Sequence, residues 1–386
     1  MTTTSFSAEA ARERFSSLRS GFAFFDAPGG TQVPDEVGQA IADALRDASG
    51  NLGAPYATGR AVEAILARAK VDAGRFLGCS PDEVSFGMNM TTLDFALART
   101  AARDFEEGDE ILTTQLDHDG GVAPWVELAA DKGLKVGVVA ATDELTVDYD
   151  DLARQLGERT KVVAFALASN ATGSVADAKR ICGMAREAGA LSWIDAVHYA
   201  AHEPIDVAEI GCDVLICSPY KFCGPHLGLA YVRQEPAESW RPYKARPSAS
   251  SPSGRRFETG TLPYELLAGF SATIAYLESL GGMEVLRDYE RSLGEHLLAN
   301  LPGNVTLYGP PAMDGRVPTF LFNIDGHRAE DVARALADRG IGLWYADNWY
   351  CVALGDRLPE QSLRAGLIHY NTQAEVDRLL EELTAI

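Results

Sequence analysis

From Val84 onward the chain alternates short apolar runs with stretches of helical spacing. The runs Val84–Phe86, Glu110–Thr113, Val136–Ala140, Val162–Ala166, Leu191–Ile194, Val214–Ile216 and Leu229–Val232 read as strands. Helical patterns fill most of the intervals, at Leu93–Arg103, Val122–Asp131, Tyr149–Leu156 and Ala176–Ala188. This alternation predicts a mainly parallel, seven-stranded sheet covered on both faces. Upstream, the pattern predicts an amphipathic helix over Ala8–Arg19, a helix over Pro34–Asp47 and a long helix over Ala61–Leu77. A Gly- and Pro-containing loop, Asn51 to Gly59, separates the last two.

Downstream the layout changes. Arg241–Gly254 is rich in Pro, Ser and basic residues, and its flexible core from Ser248 to Gly254 marks the passage out of the first unit. Two helices, Tyr264–Ser279 and Met283–Asn300, lead into a smaller α/β unit. Its expected strands are Thr319–Asn323, Ile341–Tyr345 and Ser362–His369, and its helices Arg328–Arg339 and Gln373–Leu383. The expected class is α/β, with a large domain over 21–255 and a smaller C-terminal domain over 256–386. Residues 1–20 are expected to pack with the smaller domain.

With 386 residues, 46% of them hydrophobic, the chain can bury a large core in two domains. Its 34 basic against 55 acidic residues leave a net charge of −21, which disfavours nucleic acid and anionic membranes as partners. No run approaches bilayer length, and Met1 to Ser7 lacks the basic-then-apolar order of a signal peptide. The six cysteines show no CxxC spacing and read as reduced thiols of a cytoplasmic protein.

The candidate chemistry centres on Cys217-Ser218-Pro219-Tyr220-Lys221-Phe222-Cys223-Gly224, between two expected strands. An apolar wall there can lower the pKa of Lys221 and leave a neutral, nucleophilic amine; the alternative is a surface lysine on a hairpin tip. Upstream, Asp195 closes the run Leu191–Ile194. Pyridoxal phosphate (PLP) needs both groups: a lysine to form a Schiff base, and a carboxylate to keep the pyridine nitrogen protonated so that the ring works as an electron sink. On these residues the chain resembles the class V aminotransferase family, in its cysteine desulfurase-like branch, from about Phe24 to the C-terminus. The resemblance implies the fold type I architecture of PLP-dependent transferases.

It also implies roles for further residues. Thr91 and Thr92, opening a helix after a strand, match the phosphate site, where a helix N-terminus favours an anion; either could instead cap the helix. Ser218 would add a phosphate contact. His118, in Gln115-Leu116-Asp117-His118-Asp119, matches a ring that stacks on the pyridine and relays protons. Asn170 matches a donor to the cofactor's phenolate oxygen, and His198 falls where relatives often carry a Gln contacting the same oxygen, though it could equally be a satisfied buried histidine. Thr261, in Phe257-Glu258-Thr259-Gly260-Thr261, matches a segment that reaches a neighbour's cofactor phosphate, so the resemblance implies a homodimer with shared active sites. Arg364 matches the clamp for a substrate α-carboxylate, a task suited to a bidentate fork.

One region departs from the family. Where cysteine desulfurases carry a catalytic Cys, this chain has Tyr345-Ala346-Asp347-Asn348-Trp349-Tyr350-Cys351-Val352. Ungapped register sets Trp349 at the Cys position and displaces Cys351 by two, leaving it as either a persulfide carrier or core packing. The expected function is PLP-dependent, desulfurase-like cleavage of a C–S bond in an α-amino acid. The alternatives are an aminotransferase, β-lyase or epimerase of the same family without a persulfide cysteine. A degenerate fold serving as a binding module conflicts with the joint presence of Lys221, Asp195 and Arg364. A nucleotide-binding enzyme lacks its GxGxxG or P-loop.

Overall fold

A computed structural model describes residues 6–246, 249–347 and 349–386. Part of the flexible core assigned to Ser248–Gly254, the first residues of the N-terminal segment, and Asn348 therefore lie outside the described residues. A two-residue strand, β1 (Ala23–Phe24), precedes the main sheet. That sheet comprises β2 (Val84–Gly87), β3 (Glu110–Thr114), β4 (Lys135–Val139), β5 (Thr160–Ala166), β6 (Leu191–Asp195), β7 (Val214–Cys217) and β8 (Gly228–Val232), in the order β2-β8-β7-β6-β5-β3-β4. All seven expected strands are present. Only β8 runs against its neighbours β2 and β7. The link from β7 to β8 is too short for a parallel crossover, which takes a dozen or more residues. The chain must turn back at once, and Lys221 sits in that turn.

Alternate residues of the parallel strands enter opposite cores. Val163 and Phe165 of β5 join one apolar cluster, while Val162 and Ala164 join another that contains Trp125 and Trp193. A strand packed on both faces needs apolar residues at every position, which is why these segments read as continuous runs rather than alternating ones. The helices Met90–Ala101, Asp119–Lys132, Tyr149–Gln155 and Ala178–Glu187 occupy the expected intervals.

The C-terminal part builds a four-stranded antiparallel sheet from β9 (Val305–Tyr308), β10 (Thr319–Ile324), β12 (Trp344–Ala346) and β13 (Ser362–Gly366), ordered β12-β13-β10-β9. The strand expected at Ile341–Tyr345 is broken. Its first half, β11 (Ile341–Gly342), pairs in parallel with β1, and only its second half joins β13. Ala23 and Phe25 thus belong to the C-terminal apolar cluster, with Leu293, Phe320 and Leu363. The helix expected over Ala8–Arg19 stops at Arg12, followed by a 3₁₀ turn at Ser16–Ser20. Between them Phe15 turns inward, edge-on to Tyr276 (5.6 Å) and Tyr370 (5.3 Å). No helix among the described residues is long and apolar enough to cross a membrane.

Candidate active site

The C-terminal ends of β3, β5, β6 and β7 lead into the residues of highest chemical interest, where open α/β sheets place their ligand sites. A cavity of about 660 Å³ opens there. Thr91, His118, Asn170, Asp195, His198, Ser218, Lys221 and Arg364 all line it. Thr92, Thr261 and Cys351 do not.

Lys221 is buried, with its amine donating to the carbonyl of Pro28 and lying 4.6 Å from the centre of the Tyr220 ring. Burial lowers its pKa to about 7, and the Arg364 guanidinium adds to the effect; Asp26 and Asp195 oppose it only in part. At neutral pH a large share of the amine is therefore free base.

Asp195 ends β6, and its Oδ1 accepts the Val197 N–H at 2.8 Å. Burial raises its pKa to about 7, and the neighbouring Asp117 carboxylate pushes in the same direction. Asp117, itself buried, accepts the Thr114 N–H, the Thr114 hydroxyl and the Ala166 N–H, each at 2.7 Å. These donors restrain a carboxyl that burial would otherwise lift further; it lies at about 6.

His118 caps the helix Asp119–Lys132, its Nδ1 accepting the Gly120 N–H at 2.9 Å. Burial, with Lys221 and Arg364 nearby, lowers its pKa to about 4, so the ring is neutral. A Cβ on Gly120 would meet His118 Nδ1 at 2.9 Å and Thr91 Oγ1 at 3.0 Å, so the glycine keeps this corner open. His198 Nε2 pairs with the buried Thr319 hydroxyl of β10 at 2.8 Å, and its Nδ1 has no partner among the described residues.

The helix Met90–Ala101 is capped by Asn89, whose Oδ1 accepts the Thr92 N–H at 2.8 Å. Thr92 turns its hydroxyl back to the Asn89 carbonyl (3.1 Å), which uses both of its polar groups locally. Ser218 Oγ accepts the Met90 N–H at 3.1 Å and ties the Lys221 turn to this helix. Thr261 is exposed on the surface.

Arg364 is buried, reached by Trp349 at 4.2 Å and Trp344 at 5.8 Å. Nη1 donates to the Asn170 carbonyl (2.9 Å) and Nη2 to Asp26 (3.3 Å), while Nε has no partner among the described residues. Trp349 and Tyr350 have positive φ, 57° and 59°. Such conformations cost roughly 1 kcal/mol or more per non-glycine residue. The turn directs the Trp349 carbonyl to Asn170 Nδ2 (2.9 Å) and the Tyr350 carbonyl to the Asp119 N–H (2.6 Å). Cys351 is fully buried behind this turn, donating to Asn170 Oδ1 at 3.2 Å, with the Leu116 carbonyl at 3.7 Å. Burial pushes its thiol up to about 12, far from the thiolate a nucleophile needs.

Several contributors lie outside the residues singled out above. The Asn89 cap was readable, since Asn caps at least as well as Thr. Asp26, Tyr220, Asp117 and Trp344 have no local signature, because their partners arrive from distant parts of the chain, as in the Asp26–Arg364 pair.

Residues 23–379 match the model of the aminotransferase class-V family. A probable cysteine desulfurase 2 from Mycobacterium leprae is 31% identical over 93% of this chain and 90% of its own. Among solved structures, an apo cysteine desulfurase from Thermococcus onnurineus NA1 superposes with a TM-score of 0.92 at 24% identity, covering 100% of this chain and 99% of that one. A C-DES mutant, with glycine covalently linked to its PLP cofactor, gives 0.85 at 20% identity over 97% and 98%. The site at the strand ends, the seven-stranded sheet and these matches lead to one assignment: the chain belongs to the class-V aminotransferase family.

Proposed function

We propose that the chain is a PLP-dependent enzyme that cleaves the C–S bond of an α-amino acid in the manner of cysteine desulfurases. The observation that carries this reading is the meeting of Lys221, a buried lysine, with Asp195 and Arg364 in one cavity, where burial lowers the pKa of the amine. The donor set fits the cofactor. Among the described residues Asp195 has one protein hydrogen bond and otherwise faces the cavity, and His198 Nδ1 and Arg364 Nε are buried without partners. Buried polar groups left unpaired in this way call for a bound partner.

When bound, PLP supplies an aldehyde for the lysine amine and an electron-withdrawing ring that stabilises negative charge at the substrate α-carbon. Lys221 would offer its free base to hold the aldehyde and would move a proton at that carbon. Asp195 holds a proton on the pyridine nitrogen. His118, neutral, would offer its ring face, and Asn170 and His198 would donate to the phenolic oxygen. Thr91 and Ser218, at the mouth of the helix Met90–Ala101, hold the phosphate. Arg364 fixes the substrate carboxylate, which orients the bonds at the α-carbon.

Among the described residues no cysteine lines the cavity. The sulfur acceptor is therefore an external thiol: cysteine and R–SH give alanine and R–SSH, the C–S bond and one S–H bond breaking while an S–S bond and a Cβ–H bond form. A second copy of the chain would bring Thr261 to the cavity, making a homodimer. Unpaired cysteines suit a reducing cytoplasm.

The test is to add PLP to the purified protein, record the visible absorbance, and assay a panel of amino acids for sulfur release, keto acid and racemisation. Expected are an absorbance lost in Lys221→Ala and thiol-dependent alanine formation from cysteine. A colourless protein would refute the cofactor assignment. Keto acid or racemisation without sulfur release would refute the desulfurase-like reaction.

A further inference from the structure

Cys351 has a use that sulfur chemistry does not explain. The amide of Asn170 is held at both ends: its oxygen accepts from Cys351 Sγ (3.2 Å), and its nitrogen donates to the Trp349 carbonyl (2.9 Å). The backbone carbonyl of the same residue accepts from Arg364 Nη1 at 2.9 Å, so the main chain is held as well. A primary amide has two N–H donors and one acceptor oxygen. Turning it over would set the amide oxygen against the Trp349 carbonyl and leave the single S–H only the more distant Leu116 carbonyl, 3.7 Å away. It therefore keeps one orientation, and the second N–H has a fixed direction. Cys351 suits the donor role because it is fully buried and stays protonated. The left-handed backbone at Trp349 and Tyr350 delivers the other half of the arrangement.

We propose that Cys351 is a positioning residue: its thiol, acting as a hydrogen-bond donor, locks the Asn170 amide so that an N–H faces the cavity, and it takes no persulfide during turnover. The lock stands on the geometry of the chain alone; its consequence for catalysis rests on the PLP reading above. The two ideas predict opposite behaviour for a conservative change, since serine keeps the donor and lacks the persulfide-forming sulfur.

The experiment compares Cys351→Ser, Cys351→Ala and Asn170→Ala in the PLP-loaded protein, by PLP affinity, visible spectrum and turnover. Cys351→Ser is expected to stay within about threefold of the wild type in all three. Cys351→Ala is expected to lose about tenfold in PLP affinity, the effect of one hydrogen bond. Added to Asn170→Ala it should cost little more, because both changes remove one interaction. Complete loss of turnover in fully loaded Cys351→Ser would overturn the proposal in favour of a persulfide carrier; unchanged PLP affinity in Cys351→Ala would also overturn it. The Asn170 side-chain NH₂ resonances of the cofactor-free protein test the lock even if PLP does not bind. They should persist in Cys351→Ser and shift or broaden in Cys351→Ala, and no change in Cys351→Ala would refute it.

Discussion

At the residue scale the site is governed by burial acting on opposite charges. The same low-dielectric surroundings bring an amine and a carboxyl to nearly the same pKa: Lys221 falls to about 7 and Asp195 rises to about 7. For Asp195 the consequence for stability has a definite sign. Its pKa in the unfolded chain is about 4. Between about pH 4 and pH 7 the unfolded chain gives up a proton that the folded, cofactor-free chain retains, so stability falls as pH rises through that window. Asp195→Asn removes this loss. Cofactor-free Asp195→Asn should exceed the wild type in stability at pH 8 by about 1–3 kcal/mol, less than the full shift implies because the residue borders an open cavity, and the gain should fade toward pH 4. It should also bind PLP more weakly. Thermal unfolding at several pH values checks this; a difference independent of pH would contradict it.

At the element scale, the helix Met90–Ala101 and the turn bearing Lys221 are set by short-range chemistry. Gly228 begins β8 directly beneath the helix start, where a Cβ would come 2.6 Å from the Asn89 carbonyl carbon. Asn89→Ala should cost about 1 kcal/mol of stability through the lost cap and also weaken phosphate binding, since the first turn is freed to fray. Denaturant unfolding and PLP titration would show both; stability lost with unchanged PLP affinity would separate the cap from the phosphate site. Much of this was legible in the sequence. The apolar runs found all seven strands, because a strand packed on both faces is apolar at consecutive positions, and Asp195 and Lys221 stood out at strand ends. The strand predicted over Ile341–Tyr345 divides because its two halves face different partners, β1 and β13, and that division lies in tertiary pairing. The short strand β9 leaves only a weak apolar signal in the sequence, because it is an edge strand, only partly buried, and Thr306 faces out. Residue types suggested Cys351 as a nucleophile, whereas its burial depends on a backbone turn at Trp349 and Tyr350 that no periodicity encodes.

At the scale of the molecule, Glu290 joins segments far apart in the chain. Buried at 1% exposure, it accepts from His202 Nδ1 (2.7 Å) and from the His369 backbone N–H (2.9 Å), and His369 Nε2 meets the Tyr276 hydroxyl at 2.8 Å. Burial alone would raise its pKa, but His202 and His369 more than offset that and hold it below the ordinary value. A depressed carboxylate contributes stability above its unfolded pKa, about 4.3, and loses it as pH falls through the folded value. Glu290→Gln should destabilise the protein by roughly 3 kcal/mol at pH 7, because the amide faces donors on both sides, and the gap should narrow below about pH 4. Unfolding curves across that range decide the matter, and a gap unchanged in acid would contradict the assignment. Across the whole molecule, the sheet ends and the C-terminal strand β13 converge on one buried amine, Lys221, placed to hold the cofactor. Borohydride treatment of the PLP-loaded protein, followed by peptide mapping, tests it most directly. A phosphopyridoxyl group on Lys221 alone is the predicted result; its absence, or attachment to another lysine, would contradict the account.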